Sequence, residues 1–85
     1  MESNGELPPY EAIACSLHDR IEETAVRRRV VDIVFRTAAG GQDRVHDRIE
    51  TWFSRGGAEF LTTASGLIIR LDQIVSIDGV EFRRA

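Results

Sequence analysis

The sequence contains no lysine, so all eleven of its basic residues are arginine. Without a lysine amine, the chain can form neither a Schiff base nor the lysine–phosphate contact of a P-loop. It also has one cysteine, Cys15, and two histidines, which argues against a zinc site built from cysteine and histidine. A single cysteine provides no internal disulfide, as is typical of reducing compartments, and we therefore expect a cytoplasmic protein.

Long apolar runs are also missing. No stretch approaches the roughly 18 apolar residues that a membrane span needs, and residues 1–9 lack the basic-then-apolar order of a signal peptide. We therefore expect no membrane association. Residues 1–9 are polar and end in two prolines, which predicts a flexible N-terminal arm. The remaining residues, 10–85, are enough for a single small domain.

Charge is distributed unevenly along the chain, whose net charge is −3. Residues 1–26 hold six acids and one arginine, whereas residues 27–85 hold ten arginines and eight acids. An acidic first third repels nucleic acid and favours a basic protein partner. The run Arg27–Arg29 has no aromatic neighbours on which bases could stack, so we do not expect direct nucleic-acid binding.

A helical period begins at Ser16. Leu17, Ile21 and Ala25 fall on one stripe, which predicts an amphipathic helix over residues 16–26. Ser16 is a candidate N-cap, with Asp19 in the position of a capping box. The polar faces of this helix hold Asp19, Arg20, Glu22 and Glu23.

The rest of the chain has the period of strands. In the first of them Val31, Ile33 and Phe35 share one face. Because no segment is left for a crossover helix, the sheet must be antiparallel. We predict a mostly β domain with one N-terminal helix, folded as a small, strongly bent antiparallel β-barrel or sandwich. The five predicted strands cover residues 30–36, 44–53, 58–63, 67–74 and 80–82, and turns are predicted over residues 38–41, 54–57, 65–66 and 78–79.

Catalytic patterns are weak throughout. Cys15 and His18 share one short helix, which leaves no oxyanion pocket between them, so we interpret them as a buried cysteine beside a surface histidine. Asp72 has Arg70 two residues away on the same strand face, which predicts a surface ion pair rather than a catalytic carboxylate. We expect no enzyme activity, cofactor or metal. The aromatic residues at inward-compatible strand positions are interpreted as core: Phe35, Trp52, Phe53 and Phe60.

The order of four short passages resembles the Rof family, the bacterial antiterminators that bind the transcription termination factor Rho. Each passage is short, but all four occur in the family's order and at similar spacing between Tyr10 and Gly79. The passages are Tyr10-Glu-Ala-Ile-Ala-Cys15, Asp19-Arg-Ile-Glu22, Glu59-Phe-Leu61 and Ile69-Arg-Leu-Asp-Gln-Ile74 followed by Ser76.

The resemblance implies an Sm-like fold and an inhibitor that occupies the primary RNA-binding sites of Rho, blocking RNA loading. It assigns Rho contacts to Asp19 and Glu22 on the helix and to Ser54 and Arg55 before the Glu59 strand. Glu23, next to Glu22 in the acidic stripe, completes the predicted site. An acidic helix is a physically reasonable substitute for phosphates in a basic cleft.

Two alternatives remain open. One is an Sm-like module that binds RNA itself through Arg27–Arg29 and Arg55. The other is a scaffold that associates through strand edges, as Sm-like barrels often do. Rho inhibition predicts a monomer, whereas the scaffold predicts an oligomer.

Overall fold

The computed structural model describes residues 9–82 and shows a mostly β domain with one helix. Every strand pairing is antiparallel, as predicted, and the sheet has the open order β4-β3-β2-β1-β5-β6. The predicted N-terminal arm lies outside the described residues except for Pro9. The elements are α1 (Cys15–Arg27), β1 (Val30–Arg36), β2 (Gln42–Arg55), β3 (Ala58–Thr63), β4 (Ile68–Arg70), a 3₁₀ turn (Leu71–Gln73), β5 (Ile74–Ile77) and β6 (Val80–Glu81).

Strand β1 lies at the centre of the sheet, between β2 and β5. The predicted alternation of buried and outward side chains along β1 is confirmed. Val31 and Ile33 are fully buried, while Asp32 and Val34 lie on the other face. Phe35 packs against the core from the same side as Val31 and Ile33. The apolar alternation of this segment therefore sets which face of the sheet is covered.

Strand β2 is longer than predicted and serves two parts of the sheet. Its first part pairs with β1 and its second part with β3, and the register shifts between Ile49 and Thr51. Such an irregularity bends a strand and increases its twist. Ser54 and Arg55, predicted as turn residues, belong to β2. The turn itself is the pair Gly56-Gly57, and both have positive φ (59° and 83°), as a type I′ hairpin requires.

The prediction of one strand over residues 67–74 is wrong. The segment is divided into β4, the 3₁₀ turn and β5, so the sheet has six strands rather than five. Leu71, Asp72 and Gln73 are all buried, and a strand with alternating faces cannot bury three consecutive side chains on one side. Leu67, directly before β4, is exposed.

One core cluster lies between α1 and the sheet. From the helix it receives Leu17 and Ile21, and Ala25 packs at its margin. Thr24 is also buried. Its hydroxyl remains hydrogen-bonded there, because it donates to the Arg20 carbonyl within the helix. Each large buried aliphatic side chain contributes about 1.5–3 kcal/mol relative to exposure. The cluster comprises Ile13, Leu17, Ile21, Val31, Ile33, Ile49, Leu61, Ile69, Leu71, Ile74 and Ile77.

The ends of α1 differ from the prediction. The N-cap is Ala14 and makes no side-chain capping bond, so the predicted cap by Ser16 and the capping box with Asp19 are wrong. At the C-terminal end Arg28 adopts the left-handed conformation (φ 55°), and its N–H donates to the Ala25 carbonyl. A left-handed residue at this position ends a helix and satisfies its last carbonyls.

The prediction that all four strand aromatics lie in the core is partly wrong. Phe35 joins it, but Trp52 is 37% exposed. Phe53 and Phe60 are half-buried and stack on each other, with ring centroids 5.3 Å apart and an interplanar angle of 18°. In the register of β2 and β3 they lie on the face opposite Leu61. They therefore form an aromatic pair on the outer side of the sheet.

Candidate partner-binding site

The acidic face of α1 is turned away from the core. Asp19, Glu22 and Glu23 are all exposed, because the opposite stripe of the helix is buried. Glu23 Oε2 lies 3.6 Å from Arg27 Nε, one turn along the helix. Neither Asp19 nor Glu22 has an ion pair or side-chain hydrogen bond within residues 9–82. The helix thus presents two unneutralised carboxylates and a third that is partly neutralised.

The other predicted contacts lie at the end of the β2–β3 hairpin. Ser54 and Arg55 are both exposed there, opposite Glu59 and Ala58 of β3. The Arg55 guanidinium lies 5.5 Å from the centre of the Phe53 ring, which limits where it can point. A cation over an aromatic face is favourable by about 0.5–1 kcal/mol at an exposed site.

His18 connects these two parts of the predicted site. Its Nε2 lies 3.0 Å from Glu59 Oε1, so the first turns of α1 are joined to β3 beside the hairpin end. The histidine is half-buried rather than a free surface residue. Because Asp19 follows His18 directly, this contact brings the acidic helix close to the Ser54–Glu59 pair. Sequence reasoning missed it, since the two partners are on different elements far apart in the chain.

The predicted ion pair between Arg70 and Asp72 is confirmed, but it is not on a wet face. Arg70 Nε and Nη2 donate to the two carboxylate oxygens at 2.7 and 2.9 Å, and the Glu11 N–H donates to Oδ2 at 3.0 Å. The Asp72 side chain is only 1% exposed. The Arg70 guanidinium also lies 5.6 Å from the centre of the Tyr10 ring. The pair therefore holds the segment before α1 against the 3₁₀ turn.

Burial and neighbouring charges shift the pKa values of Asp72 and Tyr10 in opposite directions. Burial alone raises the pKa of Asp72, but the hydrogen bonds from Arg70 and from the Glu11 N–H outweigh it, so its pKa lies below the ordinary value. Burial raises the pKa of Tyr10, and the negative charges of Glu59 and Asp72 raise it further. Both shifts favour the arrangement seen here, an ionised Asp72 beside a neutral tyrosine.

Residues of three short sequence passages, Tyr10–Cys15, Glu59–Leu61 and Ile69–Ile74, lie close together. Tyr10 contacts Arg70, Asp72 accepts from Glu11, and the charge of Glu59 acts on Tyr10. Through His18, Glu59 is also joined to the helix that carries Asp19. The short motifs therefore belong to one contact network at the start of α1.

The remaining candidates from the sequence have simpler explanations. The prediction of a buried Cys15 is wrong, because the residue is exposed at the first position of α1. Within the described part of the chain, no three histidine, cysteine or acidic residues lie together as metal ligands. In the same residues, no helix is long and apolar enough to cross a membrane.

The run Arg27–Arg29 does not form a single patch. Arg27 pairs with Glu23, and Arg29 Nη2 lies 3.7 Å from Asp78 Oδ2. Arg28 is the left-handed residue that ends the helix. Two of the three charges are thus balanced locally by acids, which weakens this run as a phosphate-binding surface.

Comparison of the chain with models of protein families, with curated proteins and with solved structures finds no match.

Proposed function

We propose that this chain binds the termination factor Rho at its primary RNA-binding sites and prevents RNA from loading. The observation that carries the proposal is the pair of exposed carboxylates, Asp19 and Glu22, which have no internal partner among the described residues. An RNA-binding cleft is basic because it accepts phosphates, and free carboxylates on a rigid helix satisfy the same charges. Such a function requires no catalytic group. We therefore propose that the chain is not an enzyme, acts as a monomer and works in the cytoplasm, where Rho acts.

The hairpin end adds a second contact to this surface. His18 and Glu59 fix the helix against β3, and Ser54 lies opposite Glu59 in the strand register. A surface whose parts are held together before binding loses less entropy on association. Ser54 and Arg55 thereby supply hydrogen-bond donors beside the acidic helix, which support recognition of the rim of the Rho cleft.

The strand order supports an Sm-like arrangement for the domain. β4 continues through a short 3₁₀ turn into β5, and β5 pairs with β1 at the other side of the sheet. Together with the irregularity in β2, this connection supports a strongly bent sheet with α1 against its core face. We propose a bent Sm-like barrel on that basis.

The experiment is binding to purified Rho, measured by isothermal titration calorimetry with and without a competing RNA oligonucleotide. The wild-type chain is expected to bind and to be displaced by RNA. The double variant Asp19→Arg/Glu22→Arg is expected to bind at least about tenfold more weakly, which corresponds to about 1.4 kcal/mol.

A charge-matched control is available on the same chain. Glu50 and Glu81 are also exposed, and neither forms an ion pair among residues 9–82. Glu50→Arg/Glu81→Arg changes the net charge by the same amount but leaves α1 untouched, so it should bind nearly as well as wild type. Equal loss in both double variants would show that only overall charge matters, and unchanged binding of the helix variant would reject the proposed interface.

A further inference from the structure

The outer side of the β1–β2 pair, which faces away from the core, is rich in basic residues. Alternation places Val31 and Ile33 in the core and turns the residues between them outwards. On β2 the residues opposite those outward positions also point away from the core, at every second position. These positions hold Arg44, His46 and Arg48 on β2, opposite Val34, Asp32 and Val30 of β1.

The charge of this surface is only partly balanced. Asp32 lies 3.4 Å from Arg44 Nε and 4.0 Å from His46 Nδ1, so one carboxylate serves both groups. The Arg44 side chain is nevertheless 69% exposed. Within residues 9–82, Arg48 has no ion pair. Arg44 and Arg48 therefore outnumber Asp32 at these paired outward positions, and the exposed Glu50 follows at the register shift.

The same side of β2 continues past the register shift into the aromatic pair. Phe53 and Phe60 stack there outside the core cluster, and Arg55 lies over Phe53. Thr51, paired with Thr62, occupies the position between the arginines and the aromatic rings. We call this surface, formed by Arg44, Arg48, Phe53, Phe60 and Arg55, the arginine–phenylalanine face.

Cations for phosphates and aromatic rings for bases are the combination by which proteins hold single-stranded nucleic acid. Alternate residues of a strand repeat every ~6.8 Å, which is similar to the length of one nucleotide in an extended single strand. The alternative occupant is a second copy of the chain. Its acidic helix could pair with the arginines, but such a contact gives no role to the aromatic pair Phe53 and Phe60. The observations therefore favour a nucleic-acid strand.

We propose that the arginine–phenylalanine face binds single-stranded nucleic acid, with phosphates on Arg44 and Arg48 and a base stacked at Phe53. The proposal does not depend on Rho binding. α1 packs on the core side of the sheet, and near its C-terminal end Ala25 and Arg28 line a cavity together with Arg48. Of the residues assigned to the two surfaces, only Arg55 belongs to both. The sequence-based objection to nucleic-acid binding rests on the acidic first third of the chain and on the consecutive run Arg27–Arg29, neither of which is part of this face.

The test is fluorescence anisotropy of a short labelled polyuridine strand, titrated with the protein over a series of salt concentrations. Arg44→Ala/Arg48→Ala is expected to reduce affinity about tenfold at low salt and to make the slope of log affinity against log salt shallower by about 1.4, since each phosphate contact contributes about 0.7. Arg20→Ala/Arg27→Ala removes the same charge from α1 instead of the face and should bind like wild type.

A second variant separates stacking from charge. Phe53→Leu keeps an apolar side chain, so we expect a several-fold loss of affinity with an unchanged salt slope. Circular dichroism confirms that each variant is folded. Equal affinity of wild type and Arg44→Ala/Arg48→Ala overturns the proposal, as does the absence of binding by wild type at low salt. A dimer in light scattering that this double variant converts to a monomer, without oligonucleotide binding by wild type, assigns the face to contact between copies instead.

Discussion

Arg70 and Asp72 form a two-point ion pair across the start of the 3₁₀ turn, with Nε–Oδ1 and Nη2–Oδ2 distances of 2.7 and 2.9 Å. The side chains are 11% and 1% exposed. The carboxylate also accepts the N–H of Glu11, which joins the segment before α1 to the sheet. The Asp72 carboxylate therefore accepts hydrogen bonds from Arg70 in the sheet and from Glu11, which is 61 residues away in sequence.

We predict that Asp72→Asn lowers the free energy of unfolding by about 3 kcal/mol at neutral pH, the lower end of the range for breaking a buried ion pair. The loss arises because the substitution removes the negative charge that both pairs with the largely buried Arg70 guanidinium and accepts the Glu11 N–H. Chemical denaturation followed by tryptophan fluorescence measures it. Asp43→Asn, at an exposed position, is the matched control and should change stability little.

The ionised Asp72 carboxylate should make the free energy of unfolding depend on pH. The folded-state pKa of Asp72 is lowered from 3.8, so its contribution is fully present above that pH and is lost as the pH falls below it. Hydrogen bonds from Ser65 and from the Arg48 N–H lower the pKa of Asp47 as well. Asp72→Asn should therefore flatten, but not abolish, the acid limb of a stability–pH curve. An acid limb identical to that of wild type would contradict this account.

The β2–β3 hairpin gives a conformational test. Gly56 has φ 59°, in the left-handed region, and a Cβ added there meets no atom within 4 Å. Space is therefore not limiting, and only backbone conformation decides the outcome. Gly56→Asn should be nearly neutral, because asparagine tolerates this region, whereas Gly56→Val should cost about 1–2 kcal/mol. Thermal unfolding compares the two variants, and equal stabilities would argue against the type I′ turn.

We predict that the acidic residues of α1 contribute unequally to Rho affinity, with a larger contribution from Asp19 than from Glu23. Glu23 is paired with Arg27 at 3.6 Å, whereas Asp19 is unpaired in the described structure. Binding through Glu23 first requires that this local pair be weakened. We therefore expect Asp19→Ala to weaken Rho binding about fivefold and Glu23→Ala less than about twofold. Calorimetry with Rho measures both, and a larger effect at Glu23 would reverse the assignment.

The sequence was sufficient for β1 and for the helix faces. Val31 and Ile33 alternate with polar or exposed positions, and Leu17 and Ile21 recur at helical spacing, so local period alone identifies their buried sides. The outward positions of Asp19 and Glu22 follow from the same period. These predictions held because a single element determines them.

The errors at residues 67–74 and at His18 concern contacts between distant segments, whereas the wrong N-cap of α1 is a local error. The break after β4 depends on Asp72, whose partner Glu11 is 61 residues away in sequence. The contact of His18 with Glu59 is equally non-local. No period within a segment contains this information, so a continuous strand and a free histidine were the natural local predictions.

The arginine–phenylalanine face, by contrast, has a local signal in the sequence. Arg44, His46 and Arg48 recur at every second residue, which is the period of one face of a strand. A run of consecutive arginines such as Arg27–Arg29 is the more conspicuous pattern, but this run spans the end of α1 and its side chains do not form a single patch. Basic residues at a period of two are therefore the better sequence indicator of a charged sheet surface.

Exposed carboxylates on α1 and arginines on the far side of the sheet place charges of opposite sign on opposite sides of the molecule, whose net charge is −3. A dipolar protein rotates into a preferred orientation as it diffuses towards a charged body, so productive collisions become more frequent. Its association rate should fall steeply with ionic strength, more steeply than a uniformly charged sphere of the same valence would show.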